Sequence, residues 1–330
     1  MSQDEHNPET AAEKPDATSD IEVNTSVEPD AAAPEQPATD RRSGSSRRAG
    51  FPVVGIGASA GGLSALEAFF KALPAEPNYG MAFVIVQHLD PEHHSLLTDL
   101  IKRYTTMPVY KVSDGMAVEA DKVYVIPPNR DLALVEGRLH LLERVARHGL
   151  RLPIDFFFRS LALDQADRAI CVILSGTGSD GTLGLKAIKE VGGMAMVQSL
   201  ESASYDGMPR SAIATGQVDY ILPPEKMPGE LAAYTQRAYV HRAQPVASPA
   251  ARPGNSLQKI AALLRAHNGH DFTGYKEQTV QRRIERRMAV TQIDEIDDYV
   301  RFLQQSPSEL ETLFRDLLIG VTAFFRDPEA

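Results

Sequence analysis

With 330 residues, 43% of them hydrophobic and 24% charged, the chain has material for about two domains of roughly 150 residues each. Its single cysteine, Cys171, excludes a disulfide framework and a multi-cysteine zinc site; without an apolar run of about 18 residues, no transmembrane span or membrane insertion is expected. The net charge of −10 resides in residues 1–40, where eleven acids face Lys14 alone, while the remainder balances 33 acids against 33 bases and so carries no general signal for nucleic-acid binding.

The start, MSQDEHNPET, is polar and unlike a secretory signal, so a cytoplasmic location is expected. Residues 1–50 are Ala, Pro, Glu, Asp, Ser and Thr with scarcely an aliphatic side chain. Such a stretch buries too little apolar area to offset its ordering entropy and is expected to form a disordered tail. Order begins at Phe51. The run PVVGIG (52–57) is a short apolar strand ending in glycines, followed by the helical pattern LSALEAFFKAL (63–73). MAFVIVQ (81–87) and DKVYVIPP (121–128) are further strands, and LALVEGRLHLL (132–142) has the pattern of a hairpin. Helix PIDFFFRSLALDQA (153–166), strand AICVILSG (169–176), helix TLGLKAIKEVG (182–192), strand GMAMVQS (193–199), strand VDYILP (218–223) and a helix from Pro228 to Tyr239 complete the first unit. Short apolar runs alternating with longer helices predict a doubly wound α/β domain over 51–240, a mainly parallel sheet with helices on both faces.

A Pro/Ala linker follows over 241–255. Beyond it the patterns SLQKIAALLRAHN, TVQRRIERRMAV, DEIDDYVRFLQQ and SELETLFRDLLIG are all helical and predict a small all-α helical bundle over 256–320, with Asp294 and Ser308 as helix N-caps. No internal repeat is visible.

Three interpretations compete for GIGASAGG (55–62), which lies between a strand and a helix. As GxGxxA it is a dinucleotide fingerprint, although the next strand ends in Gln87 and His88 rather than in the acid that holds a ribose. As GASAG (57–61) it is a nucleophile elbow presenting Ser59. It is also a glycine-rich turn with a capping serine. Two other strand ends bear on the choice. His88 directly follows MAFVIVQ, and Asp180 lies just past AICVIL. In an open parallel sheet the carboxyl ends of strands share one edge, so Ser59, His88 and Asp180 form the complement of an acyl-transfer triad. Their chain order differs from that of α/β-hydrolases. HLDPEHH (88–94) is rich in metal-ligand residue types, but adjacent His93 and His94 point apart on any regular element, and no metal is expected.

These residues carry a resemblance. VVGIGASAGGL, the strand ending in QHL, LSGTGSDGTLGLKAIK, and YDGMPRSAI followed by VDYILPP resemble, in order, the catalytic domain of chemotaxis protein-glutamate methylesterases of the CheB type. The resemblance covers about 52–240. It implies Ser59 as nucleophile, His88 as general base and Asp180 as the group that orients the imidazole, with no cofactor. It implies oxyanion contacts from the main-chain N–H groups of Ala60, where the family usually has Thr, and of Thr177. It also places Met208 and Arg210 in a loop near the substrate. GYKEQTVQRRIERRM and LIGVTAFFRDPEA resemble the N-terminal domain of chemoreceptor glutamate methyltransferases of the CheR type and the opening of their catalytic domain. There Thr322 and Arg326 match positions that touch S-adenosylmethionine, while Gly320 replaces a usual Asn. Residues 321–330 are then the start of a domain that continues in a longer fusion, and S-adenosylmethionine is expected only there. The 50 residues before Phe51 are too polar to fold as the phosphorylatable receiver domain common in such methylesterases.

The implied substrate is a glutamate methyl ester on chemoreceptor helices, with glutamine deamidation as a related reaction. An inactive receptor-binding scaffold and a nucleotide-dependent α/β enzyme are the alternatives. In TVQRRIERRM, Val280, Ile284 and Met288 form an apolar seam flanked by Arg282 with Arg286 and Arg283 with Arg287. The resemblance implies that these four arginines dock an acidic receptor surface; a solvated face partly paired with Glu277 and Glu285 is the plainer expectation.

Overall fold

The computed structural model describes residues 50–74, 79–87, 94–143, 152–240, 253–269, 272 and 275–319. The expected tail before Gly50, residues 241–252 of the expected linker and residues 320–330 lie outside the described residues, whereas the last three linker residues, 253–255, already belong to the helix that follows.

Seven strands form one sheet: β1 (Val53–Ala58), β2 (Ala82–Gln87), β3 (Val109–Lys111), β5 (Val123–Val125), β8 (Ala169–Ile173), β9 (Met194–Gln198) and β10 (Tyr220–Leu222). Their order is β10-β9-β8-β1-β2-β5-β3, and every neighbouring pair is parallel. β1, β2, β8 and β9 are buried at every position, as strands covered on both faces must be, which is why they read as unbroken apolar runs. A small antiparallel sheet of β4 (Met116–Ala117), β7 (Arg138–Glu143) and β6 (Arg130–Val135) contains the expected hairpin.

Helices cover both faces of the large sheet. One core joins α1 (Gly62–Lys71), α2 (His94–Tyr104) and α6 (Met227–Thr235) to the sheet through Leu66, Phe69, Ile101 and Leu231. The other joins α3 (Pro153–Gln165), α4 (Thr182–Glu190) and α5 (Gly207–Ile213) through Phe157, Phe158, Leu185 and Met208. α3 approaches β1 so closely that a Cβ on Gly57 would lie 2.4 Å from Ile154 Cγ2, and one on Gly55 2.8 Å from the Phe158 ring. The first two glycines of GIGASAGG therefore serve helix–strand packing. Helices α7 (Pro253–Asn268), α8 (Glu277–Val290), α9 (Ile296–Gln305) and α10 (Pro307–Leu318) close a separate core around Ile260, Leu264, Ile284, Tyr299, Leu303 and Leu313. The N-cap positions of α9 and α10 fall on Glu295 and Ser306 rather than on Asp294 and Ser308; Asp294 instead pairs with Arg237 at 3.0 Å. No helix among the described residues is long and apolar enough to cross a membrane.

Candidate functional site

The order of strands reverses between β1 and β8, and at such a switch the carboxyl ends of the strands border a crevice. Ser59 follows β1 there and Asp180 follows β8, while His88, which directly follows β2, lies outside the described residues. Two more contacts link the segments that carry the described pair. A Cβ on Gly181 would lie 3.0 Å from Ile154 Cγ2, the same methyl that abuts Gly57. The Ile154 N–H in turn donates to Asp180 Oδ2 at 3.1 Å. The segments that carry Ser59 and Asp180 thus pack, through Gly57 and Gly181, against one side chain.

The elbow at Ser59 is held from below. Its N–H donates to the carbonyl of Ser175 at 3.0 Å, extending the β1–β8 pairing, and its carbonyl accepts from Gly62 N at 2.9 Å. Between them Gly61 turns through φ 70°, a left-handed conformation that glycine adopts without steric penalty, and α1 begins. Ser59 itself is half-buried.

Ser175 ties the site together. Its hydroxyl donates to Ala60 O at 2.9 Å and accepts from Tyr205 N at 2.9 Å, and its own N–H donates to Gln198 Oε1 at 2.8 Å. Gly176 N donates to Tyr205 O at 2.9 Å and Met208 N to Gly176 O at 2.8 Å, so the loop carrying Thr177 is stitched to the start of α5. Nothing in the sequence marks Ser175 apart from its place at the end of a strand. Thr177 is exposed; Ala60 is half-buried beside Ser59. Met208 is fully buried beneath Gly176, whereas Arg210 is exposed and paired with Asp206.

A Cβ at Gly176 would stand 2.1 Å from Met208 Sδ and 3.0 Å from the Ser59 Cβ. Gly176→Ala is therefore expected to destabilise the fold by about 1–3 kcal/mol, the usual penalty of overpacking, and to push either Met208 or Ser59 out of place. Chemical denaturation would measure the first effect and a serine-directed acylating probe the second.

Asp180 is 5% exposed, and its two oxygens accept from Ile154 N and from Asp155 N (2.9 Å), the first turn of α3. Burial pushes its carboxyl up to about 6, against the pull of those two N–H groups. Main-chain donors immobilise it.

The expectation that Arg282, Arg283, Arg286 and Arg287 present a docking face is corrected for three of them. Arg283, Arg286 and Arg287 are buried between the bundle, the end of α4 and the residues just before β9 and β10. Arg283 donates to the carbonyls of Lys189 (2.9 Å) and Glu190 (2.7 Å), and Arg286 to that of Gly193 (3.0 Å). Arg286 also pairs with Asp219 and Asp316, while Arg287 grips Glu309 with two nitrogens (2.6 and 2.8 Å) and reaches Asp219 at 3.1 Å. Lys189 completes the cluster at 2.9 Å from Asp219. Arg286 and Arg287 find their acid partners in distant segments rather than in Glu277 or Glu285, while main-chain carbonyls hold Arg283. Arg282 alone is exposed.

Among the described residues no group of three or more His, Cys, Asp or Glu is placed to hold a metal ion; HLDPEHH falls mostly outside them. Thr322 and Arg326, the positions expected to touch S-adenosylmethionine, also lie outside the described residues.

Residues 54–231 match the profile of the family described as CheB methylesterase, and 255–318 that described as CheR methyltransferase, all-alpha domain. A protein-glutamate methylesterase/protein-glutamine glutaminase of Burkholderia orbicola is 37% identical over 55% of this chain and 53% of its own length. A putative protein of the same description from Leptospira interrogans is 34% identical over 54% of this chain and 91% of its own. An uncharacterised 104.1 kDa protein of Rhodobacter capsulatus is 40% identical over 71% of this chain, which spans only 27% of that protein. The crystal structure of the Thermotoga maritima CheB methylesterase catalytic domain shares the fold with a TM-score of 0.51 and 31% identity, covering 55% of this chain and 97% of that one.

Proposed function

The chain belongs to the CheB methylesterase family, and from that premise we propose that it is a serine-type hydrolase removing methyl groups from glutamate esters of chemoreceptors. The observation that supports the proposal is the convergence on Ile154, at the carboxyl edge of the sheet, of the segments that carry Ser59 and Asp180, through Gly57 and through Gly181. Ser59 Oγ attacks the ester carbonyl carbon while His88 takes its proton. The N–H groups of Ala60 and Thr177 receive the oxyanion, and the 3.0 Å spacing between the Ser59 Cβ and a Cβ position on Gly176 supports this by setting the Thr177 peptide beside the nucleophile. Methanol departs with the proton returned by His88, and water admitted to the same position hydrolyses the glutamyl-enzyme. Asp180 orients the imidazole. Glutamine deamidation follows the same steps with ammonia as the leaving group.

The bundle meets the sheet at its amino edge, opposite to Ser59, so the two units stand back to back and the ester is addressed by the α/β domain. Thr322 and Arg326 are proposed to serve S-adenosylmethionine in a longer chain. Incubation with a methyl-esterified chemoreceptor is expected to release methanol at a rate proportional to enzyme. Absence of release above the spontaneous rate would refute the esterase assignment.

A further inference from the structure

α3 and α4 exchange caps. Asp180, which stands just before α4, accepts both of its hydrogen bonds from the first turn of α3. Asp155, in that first turn, accepts from Gly184 N in the first turn of α4 at 2.6 Å. The helices close tightly enough that a Cβ on Gly184 would lie 2.4 Å from Phe158 Cβ and 3.2 Å from Asp155 Cα. Neither carboxylate reaches solvent to any extent: Asp155 is 4% exposed and Asp180 5%. Asp155 Oδ2 is buried without a hydrogen-bond partner among the described residues. Two acids are therefore enclosed side by side, each oriented by the other's helix.

We propose that Asp155 is a positioning residue for the hydrolysis: the exchanged caps fix where the Asp180 carboxylate stands, and the Asp155 charge acts on it directly. The proposal rests on the assignment of Asp180 to the reaction.

Electrostatics agree with the geometry. Beyond the effect of burial, the negative charge of Asp155 pushes the Asp180 carboxyl up. Burial likewise raises Asp155, opposed by the Gly184 N–H, by the guanidinium of Arg159 on α3, and by the N–H groups of Leu183 and Gly181. In the proposed mechanism the His88 imidazole is a further titrating neighbour of Asp180, so a pH–rate profile alone mixes two groups. The signal of the Asp180 carboxyl separates them.

Asp155→Asn keeps an oxygen for the Gly184 N–H and removes the charge. A group relieved of a like charge loses its proton at lower pH. The acid limb of kcat/KM should therefore move to lower pH, raising the ratio of the rate at pH 5 to that at pH 8 several-fold, with KM unchanged. Asp155→Ala removes the acceptor as well and should lower kcat by about ten- to a hundred-fold through misplacement of Asp180, a loss that Asn largely restores. The experiment is a carbon-13 titration of the Asp180 carboxyl in the full chain and in Asp155→Asn, paired with the pH–rate profiles of both and with Ser59→Ala as control. A lower Asp180 titration point in Asp155→Asn, together with the displaced acid limb, supports the proposal. Coincident titrations and profiles would overturn it while leaving the esterase assignment intact. Activity surviving in Ser59→Ala would reject that assignment, and with it the role of Asp155 in the reaction.

Discussion

Ser59→Ala is expected to lower kcat for glutamyl methyl ester hydrolysis by about 10⁶, the loss seen when a serine nucleophile is removed from a working triad. The size follows from what disappears. Without Oγ no glutamyl-enzyme forms, and the reaction falls back on the oxyanion donors and on substrate binding alone. Stability should change by no more than about 0.5 kcal/mol, because a single half-buried hydroxyl is replaced and the N–H and carbonyl that hold the elbow belong to the backbone. The two readouts together make the test sharp: a folded protein with an unchanged melting temperature and no methanol release. A folded variant that still releases methanol at the wild-type rate would move the chemistry away from this edge of the sheet.

The largest effect on stability is expected at Asp219. This residue, immediately before β10, accepts from Lys189 (2.9 and 3.0 Å), Arg287 (3.1 Å), Arg286 and the N–H of Ala195 (2.9 Å), and its side chain is 1% exposed. Asp219→Ala leaves Arg286 on Asp316 and Arg287 on Glu309, and leaves Lys189 with Asp316 at 3.5 Å as its remaining acid, so three buried cations share two acids. Removing one member of a buried ionic cluster costs about 3–5 kcal/mol, chiefly as uncompensated charge. Because Asp219 belongs to the sheet while Arg286, Arg287 and Asp316 belong to the bundle, the loss should fall on the junction between them. Calorimetry is expected to resolve two unfolding transitions where the wild type shows one, and protease should cut within 241–252 faster. A single transition at the wild-type temperature would show that the cluster does not join the units.

The pH dependence of the junction has a definite sign. Burial pushes the Asp219 carboxyl up, but Arg286, Lys189 and Arg287 outweigh it and hold the group well below the usual carboxylate range. A group lowered on folding stabilises above its unfolded value, near pH 4, and loses that contribution as pH falls toward the folded value. The junction should therefore hold through neutral and mildly acid solution and weaken only under strong acid. Asp180 behaves oppositely, since its carboxyl is raised to about 6. Folding favours its protonated form, so its contribution is greatest in acid and declines as pH rises from about 4 to 6.

Some elements were legible in advance and others were not, for reasons that differ by element. β1, β2, β8 and β9 announce themselves because a strand buried on both faces must be apolar at every position. α2 escapes notice because HSLLTDLIKRY opens on His94, the end of a run that resembles a metal motif, and its buried contacts rest on Leu97 and Ile101. β3 and β4, of three and two residues, are too short to show a period. At the candidate site Ser59 and Asp180 stand out through their glycine-rich surroundings. Ser175 and Asp155 do not, because one acts through its place beneath the elbow and the other through a helix 29 residues away.

Periodicity and turn chemistry along the chain determined the α/β alternation, the helical unit after the linker and the residues around Ser59, since burial on a strand or helix imposes its pattern on neighbours in sequence. The partners of the α8 arginines were decided by tertiary structure alone. An arginine row looks the same whether it faces water or a neighbouring sheet. What separates the two cases is Coulomb attraction across a few ångströms of low-dielectric interior, and the acids that supply it, Asp219, Glu309 and Asp316, lie 22 to 68 residues away along the chain.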